Sequence, residues 1–469
     1  MRYPEIESSR TFVGRLLDDR KKILRFLIFA YLFTILYDGI FRKWLLPSFS
    51  TPLMMVKQVI AMLICAYGLP YFSRMTIWEK SFAIIGAFVF GTTFIFGHQN
   101  LFVALYGCLS YWFGLPVCFI IGKILGYDDL KKIGKIIVQT SIFNSILVIL
   151  QFNLPVTHIL NYQSGGLDAN IIGYSVSSLE GGFRPSGIFV YNSQNAMFQM
   201  LAFSFILFFL LMRGVNTGRY VQLVALILNL LSLPFSVSRT NLFYQIGVAA
   251  FFLLFCLQKS QRKKFLAVLS VSLIVLLFTS RLPMVNSAIR SISARFANAS
   301  EVQYGKVSTT QGTLKDLWNR NVSYNIEAII DPHTIDGDPV PFWGYGQGMS
   351  TQVGGRILGV TKNAGFALAE WDGLRIMCES GLLFGWAIIF IRVGYAFRHV
   401  FSILKFKRRH KYLSLILLPS FLVCFFLLNN WGNIFQANFA FLVGGLFMAS
   451  LKFRIYDHKP LLQAPDTTD

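Results

Sequence analysis

Charge is scarce in this chain. Only 14% of its 469 residues are Asp, Glu, Lys or Arg, where soluble domains carry about 25%, and that excludes a soluble globular fold. Acidic residues are the scarcer kind, 22 against 43 Lys and Arg. The six cysteines, Cys65, Cys108, Cys118, Cys256, Cys378 and Cys424, all fall in apolar runs without paired spacing. They read as small packing residues, which excludes a disulfide framework and a thiolate metal centre. No internal repeat or low-complexity segment interrupts the chain, and no small-residue cleavage site follows its first apolar run, so a cleavable leader is not expected.

What fills the chain instead is apolar: 54% hydrophobic and 16% aromatic residues, with a mean hydropathy of +0.55. A helix needs about 20 apolar residues to cross a bilayer core. Runs of that kind recur near 24–41, 52–71, 81–97, 101–122, 136–155, 194–212, 220–235, 240–257, 265–281, 373–391, 412–429 and 434–451. The expected fold is an all-α polytopic membrane protein of about twelve transmembrane helices. Residues 1–281 form a first bundle of about nine helices, 282–372 one large loop, 373–455 the last three helices, and 456–469 a disordered cytoplasmic tail.

The net charge of +21 is read by its position. Alternate connections are rich in cations: Arg2 to Lys22, Arg74 and Lys80, Lys123 to Lys135, Arg213 and Arg219, Lys259 to Lys264, Arg392 to Lys411, and Lys452 onward. Such loops stay in the cytoplasm. Both termini are therefore expected there, the large loop is expected on the outward or periplasmic side, and nucleic acid is not an expected partner.

Outward segments should be poor in cations, yet these carry Arg184, Arg239, Arg290, Arg295, Arg320 and Arg356. Guanidinium binds phosphate oxygens bidentately and stays charged, so the bias points to a bound phosphate or diphosphate. Arg239 stands at a helix start in Ser238-Arg239-Thr240-Asn241, where free N–H groups also face an anion. The alternative is that Ser238 or Asn241 caps the helix and Arg239 snorkels. Trp371, Arg375 and Glu379 fall four apart on one helical face, so Arg375 and Glu379 can pair. Glu370 stands just before them, placed to accept a proton from a hydroxyl. Trp343-Gly344-Tyr345-Gly346-Gln347-Gly348 lacks the strand and the Lys-Ser/Thr of a nucleotide loop and reads as a tight turn at the membrane surface. Near the first outward loop, Phe41-Arg42-Lys43-Trp44 reads as an interfacial belt of snorkelling cations, with Asp38 and Lys57 pairing near the surface. A donor-lipid contact is the other reading there. No metal site is expected.

Four stretches taken in order resemble the O-antigen ligase and O-antigen polymerase superfamily of polytopic glycosyltransferases: Phe183-Arg184-Pro185-Ser186-Gly187, Ser238-Arg239-Thr240, Phe342-Trp343-Gly344-Tyr345-Gly346-Gln347-Gly348 and Glu379-Ser380-Gly381-Leu382-Leu383-Phe384-Gly385. The resemblance covers mainly the second half of the chain, with the span count and the late large loop. It implies an inverting transfer of glycan from undecaprenyl pyrophosphate to a glycan or lipid acceptor hydroxyl in a bacterial inner membrane, without a cofactor. Polysaccharide-export or chain-length proteins are implied partners. Carried over, Arg239 would bind the diphosphate, Arg320 would neutralise the leaving group, and Glu370 would be the base. It stands where the ligases carry a histidine, which favours a polymerase over a ligase. Arg184, Arg295, Arg356, Trp343, Tyr345, Trp371, Arg375 and Glu379 are the expected substrate contacts. The rival from another class is a secondary transporter or flippase.

Overall fold

The computed structural model describes residues 12–155, 157–162, 184–211, 218–256, 266, 270, 280–304, 315, 318–334, 336–360, 372–404, 412–426 and 434–452. These residues are helical wherever they are regular, and no strand occurs among them. Among the described residues, six helices can by length and composition cross a membrane: Asp19–Leu45, Pro47–Arg74, Leu101–Ile124, Tyr127–Asn153, Asn192–Leu210 and Asp372–Ile403. Four shorter apolar helices accompany them, Tyr220–Phe235, Arg239–Phe255, Leu413–Phe425 and Ile434–Ser450. Most of the expected span near 265–281 and the whole tail 456–469 lie outside the described residues.

The elements that position buried charge are α1 (Phe12–Ile40), a π turn (Phe41–Leu45), α2 (Ser50–Gly68), α3 (Ile77–Ile95), α4 (Leu101–Gly107), α5 (Gly114–Ile124) and α6 (Tyr127–Asn153). After them come α7 (Asn192–Leu211), α8 (Arg219–Phe235) and α9 (Arg239–Phe251). Within the expected large loop lie α10 (Pro283–Tyr304), α11 (Tyr324–Ile330) and α12 (Gln352–Ile357), and the chain closes with α13 (Asp372–Leu404), α14 (Tyr412–Phe425) and α15 (Ile434–Ser450). Local sequence starts several of them. Thr76 and Glu79 close a capping box on α3, with Thr76 N donating to Glu79 Oε2 at 2.7 Å, which satisfies donors no helix can satisfy internally.

Helices α5 and α15 sit at the centre. Nearly every side chain of α15 is buried, and its Gly445 lets the helix lie flush on Ile121 of α5, the close approach by which helices gain contact inside a membrane. Around α6 to α9 runs a buried network of uncharged polar groups. Asn144 Nδ2 donates to Asn195 Oδ1 at 2.8 Å, Gln199 Nε2 to Ser232 Oγ at 3.2 Å, and Asn241 Nδ2 to Gln199 Oε1.

The continuous apolar pattern of α13 conceals a reversal. At Gly381 the backbone takes φ 77° and ψ 175°, a conformation open only to glycine. Residues 372–380 fold back along residues 382–404, so Met377 packs against Gly385 and Ile389. Asp372 Oδ2 comes 3.9 Å from Arg392 Nη1. The sequence places Asp372 at an outward mouth and Arg392 in a cytoplasmic loop. The hairpin corrects this, because both are buried, Arg392 completely.

Candidate functional site

Among the described residues, apart from Glu79 of α3, buried charge collects in two places. The first is where α1 gives way to α2. The π turn swings Arg42 and Lys43 inward one turn after Asp38, and Lys57 approaches from α2. Lys57 Nζ donates to Asp38 Oδ2 at 2.7 Å, and Arg42 Nη1 lies 3.7 Å from the same oxygen. Arg42 Nε donates to the backbone oxygen and Oγ of Ser50 at 2.9 and 3.0 Å. Lys43 Nζ donates to Ser186 Oγ at 2.6 Å and to Gly187 O at 3.5 Å. Lys57 Nζ also sits 3.7 Å above the Phe435 ring, with the Arg42 guanidinium 4.9 Å from it, favourable cation–π positions.

Arg42 is 1% exposed and Lys43 and Lys57 each 2%. The expected belt of snorkelling cations is therefore corrected, while the expected Asp38–Lys57 pairing is present. Two distant pieces of chain put the lid on these groups: residues 186–189, whose backbone lies against Gly39, and Phe435 at the start of α15. Arg42 and Lys57 thus share the Asp38 carboxylate, and Lys43 is buried beside them on the neutral oxygens of Ser186 and Gly187. Arg184, two residues before Ser186, is half-buried, and its Nε finds no hydrogen-bond partner among the described residues. A buried surplus of cations is costly unless an anion accompanies it, and these donors suit phosphate oxygens.

The second place is the hairpin of α13 with the glycine-rich turn. Tyr345 N donates to Cys378 O at 2.8 Å and Gly346 N to Glu379 O at 3.2 Å, which ties the turn to the short arm just before Gly381. Glu379 Oε1 accepts from Ser350 N at 3.0 Å and from Arg375 Nε at 3.4 Å, so the expected pair forms, with both partners buried. On its other side the turn meets α3 and α4. Gln347 N donates to Thr93 Oγ1 at 3.0 Å, Cys108 Sγ to Gln347 Oε1 at 3.3 Å, and His98 Nε2 lies 2.9 Å from Gln347 O. The turn is wedged between helices rather than laid on a surface. Trp343 stacks on Phe96 with centroids 4.9 Å apart and planes at 9°. Tyr345 packs with Val340 and Cys378, and burial together with nearby Asp338 raises its phenol above the ordinary value.

Arg239 opens α9. Ser238 Oγ accepts from Asn241 N at 3.3 Å, as an N-cap does, and the Arg239 guanidinium lies 5.9 Å from the Phe296 ring of α10. Arg290 and Arg356 are exposed. Glu370 and Trp371 lie outside the described residues, as do the side chains of Arg295 and Arg320. Of the expected site arginines, those described stand on separate elements, while Arg42, Lys43 and Lys57, which the sequence suggests are a snorkelling belt or a donor-lipid contact, come together inside the bundle. The signal for this group was present: four charges, including Asp38, at the facing ends of two apolar helices. No protein-family model matches the chain, and no curated protein matches it.

Proposed function

We propose that the chain is a polytopic glycosyltransferase of about twelve spans that moves glycan from a lipid diphosphate carrier to an acceptor hydroxyl on the outward side of a bacterial inner membrane. Polymerisation of a surface polysaccharide is the favoured form of the reaction, with ligation to a lipid core as the alternative. One observation carries the reading: Arg42, Lys43 and Lys57 are buried together beside Asp38, with Lys43 donating to the neutral oxygens of Ser186 and Gly187, at the end of α1 that charge bias places outward. A diphosphate offers oxygens that suit these ammonium and guanidinium donors and is itself a leaving group.

In the transfer, the acceptor oxygen attacks the anomeric carbon as the bond to the diphosphate breaks, and the electron pair leaves with the diphosphate. Lysine and arginine donors already fixed in place stabilise that developing charge without reorganising. The acceptor proton goes to a base, the role assigned from sequence to Glu370. Arg239 and Arg320 keep their assigned roles at the leaving group, and Trp343, Tyr345 and Trp371 those of sugar contacts.

The test is incubation of the purified chain with an undecaprenyl-diphosphate glycan, following release of the free carrier diphosphate and growth of the glycan. Wild type should release the carrier. Lys43→Met should abolish release, and Glu370→Gln should slow it while sparing donor binding. Undiminished release in K43M would overturn the reading. A secondary transporter is the second reading, favoured by the broken helix α13 with Arg375 and Glu379 buried beside the break. Movement of intact carrier-linked glycan across proteoliposomes, without bond cleavage, would establish that reading instead.

A further inference from the structure

Between α2, α3 and the α4–α5 segment lies a cavity of about 460 Å³ that the glycosyltransferase reading does not use. This volume falls within the roughly 300–1,000 Å³ of small-ligand sites. On α3 it is lined by Glu79, Phe82, Ala83, Gly86, Ala87 and Phe90, the spacing of one helical face, over about 16 Å at 1.5 Å per residue. Trp112 and Phe119 form the facing wall. Leu69 and Leu105, also in the lining, are 63% and 44% exposed, so the cavity opens sideways between the helices.

Its single charged lining residue is already neutralised. Glu79 Oε2 lies 3.3 Å from Lys123 Nζ, and Glu79 Oε1 accepts from Tyr395 Oη at 3.4 Å. At the same end of α3, Arg74 and Lys80 are exposed, and neither has an ion pair among the described residues. This basic rim stands at the far end of α2 from Ser50 and the buried cation group, about 28 Å along the helix axis. A lipid with its head among Arg42, Lys43 and Lys57 therefore cannot also place that head at this rim.

We propose that the cavity seats one acyl chain of an anionic phospholipid from the leaflet opposite the cation group, with the lipid phosphate at Arg74 and Lys80. The chain supplies the apolar contact that the lining lacks. The two cations supply the choice of head group, since basic residues at a membrane surface favour anionic lipids.

The experiment uses the full chain in nanodiscs and phosphatidylglycerol with a brominated acyl chain, which quenches indole fluorescence on contact. The contribution of Trp112 is the difference between wild type and Trp112→Phe. Phosphatidylglycerol should quench Trp112 with about thirtyfold tighter apparent affinity than phosphatidylcholine, as expected for two surface cations. Ala83→Phe, which fills the cavity, should remove the quenching, and Ala87→Leu, a smaller intrusion, serves if A83F does not fold. Gly91→Leu adds a side chain where a Cβ meets nothing within 4 Å, and it should leave quenching intact. The double variant R74E/K80E should erase the preference for phosphatidylglycerol. Quenching that survives both filling variants, equal affinity for the two phospholipids, or displacement of phosphatidylglycerol by a polyprenyl phosphate would each overturn the proposal.

Discussion

The two buried charge groups are built from the same residue types but differ in balance. In the α13 hairpin Arg375 meets Glu379 and Arg392 meets Asp372, so that each of these cations has a carboxylate. Arg392 also donates to Phe425 O at 2.8 Å and Cys424 O at 3.2 Å, so it fastens the reversal of α13 to the end of α14. At the α1–α2 end Arg42 and Lys57 both meet Asp38, and Lys43 beside them bonds neutral oxygens among the described residues. A balanced group satisfies itself and holds a shape, whereas an unbalanced one is completed by something that arrives. The comparison therefore predicts that substitutions in the hairpin cost stability and those at the α1–α2 end cost binding.

The largest loss of stability is expected for Arg392→Leu. It removes the guanidinium beside Asp372 and the donor to two backbone carbonyls in the interior, and breaking a buried pair from one side costs about 3–5 kcal/mol. Thermal unfolding of the detergent-purified protein measures it, and a melting temperature equal to that of wild type would break the comparison at its strongest point. Next comes Gly381→Ala. The new Cβ would press on the backbone of Phe342 and Trp343 while holding a positive φ, at a cost of about 2–3 kcal/mol. The same substitution at Gly91 meets no neighbour and should be silent in the same assay.

Lys43→Met sharpens the contrast from the other side. Removing a buried charge with neutral partners should leave stability within about 1 kcal/mol of wild type or raise it. Affinity for a polyprenyl diphosphate should fall at least about tenfold, the worth of one charge-assisted hydrogen bond. If K43M instead unfolds as readily as R392L, the α1–α2 group is scaffold and the distinction between the two regions fails.

What could be read in advance follows the range of the interaction. The helices and the Arg375–Glu379 pair depend on residues a few positions apart, and apolar runs and i,i+4 spacing expose them. The Ser238 cap of α9 is equally local. The burial of Lys43 is different, because Ser186 stands 143 residues away, and Phe435 over Lys57 comes from the last helix. Nothing near Arg42 or Lys43 shows that these segments will cover them. Gly381 was hidden for another reason. Glycine inside an apolar run is common, and only the contact of its backbone with Gly344 fixes the reversal that brings Asp372 to Arg392.

The smallest expected effect lies outside both regions, at Lys452 just beyond α15. Its Nζ donates to Lys123 O at 3.0 Å and Leu125 O at 2.8 Å, closing the end of α5. Burial and the neighbouring cations Lys21 and Lys123 lower its pKa to about 8. In the unfolded chain the amine titrates near its ordinary 10.5, so between these values the unfolded state binds more protons. Stability should therefore rise as pH climbs through about 8 and level off near 10.5. The rise should vanish in Lys452→Met, as read from melting temperatures across that range. Replacing this lysine removes one proton-linked group and two hydrogen bonds to backbone oxygens at a helix end, so its effect should stay well below that of R392L. A loss as large as that of R392L would show that a helix end, rather than the hairpin, is what holds the bundle together.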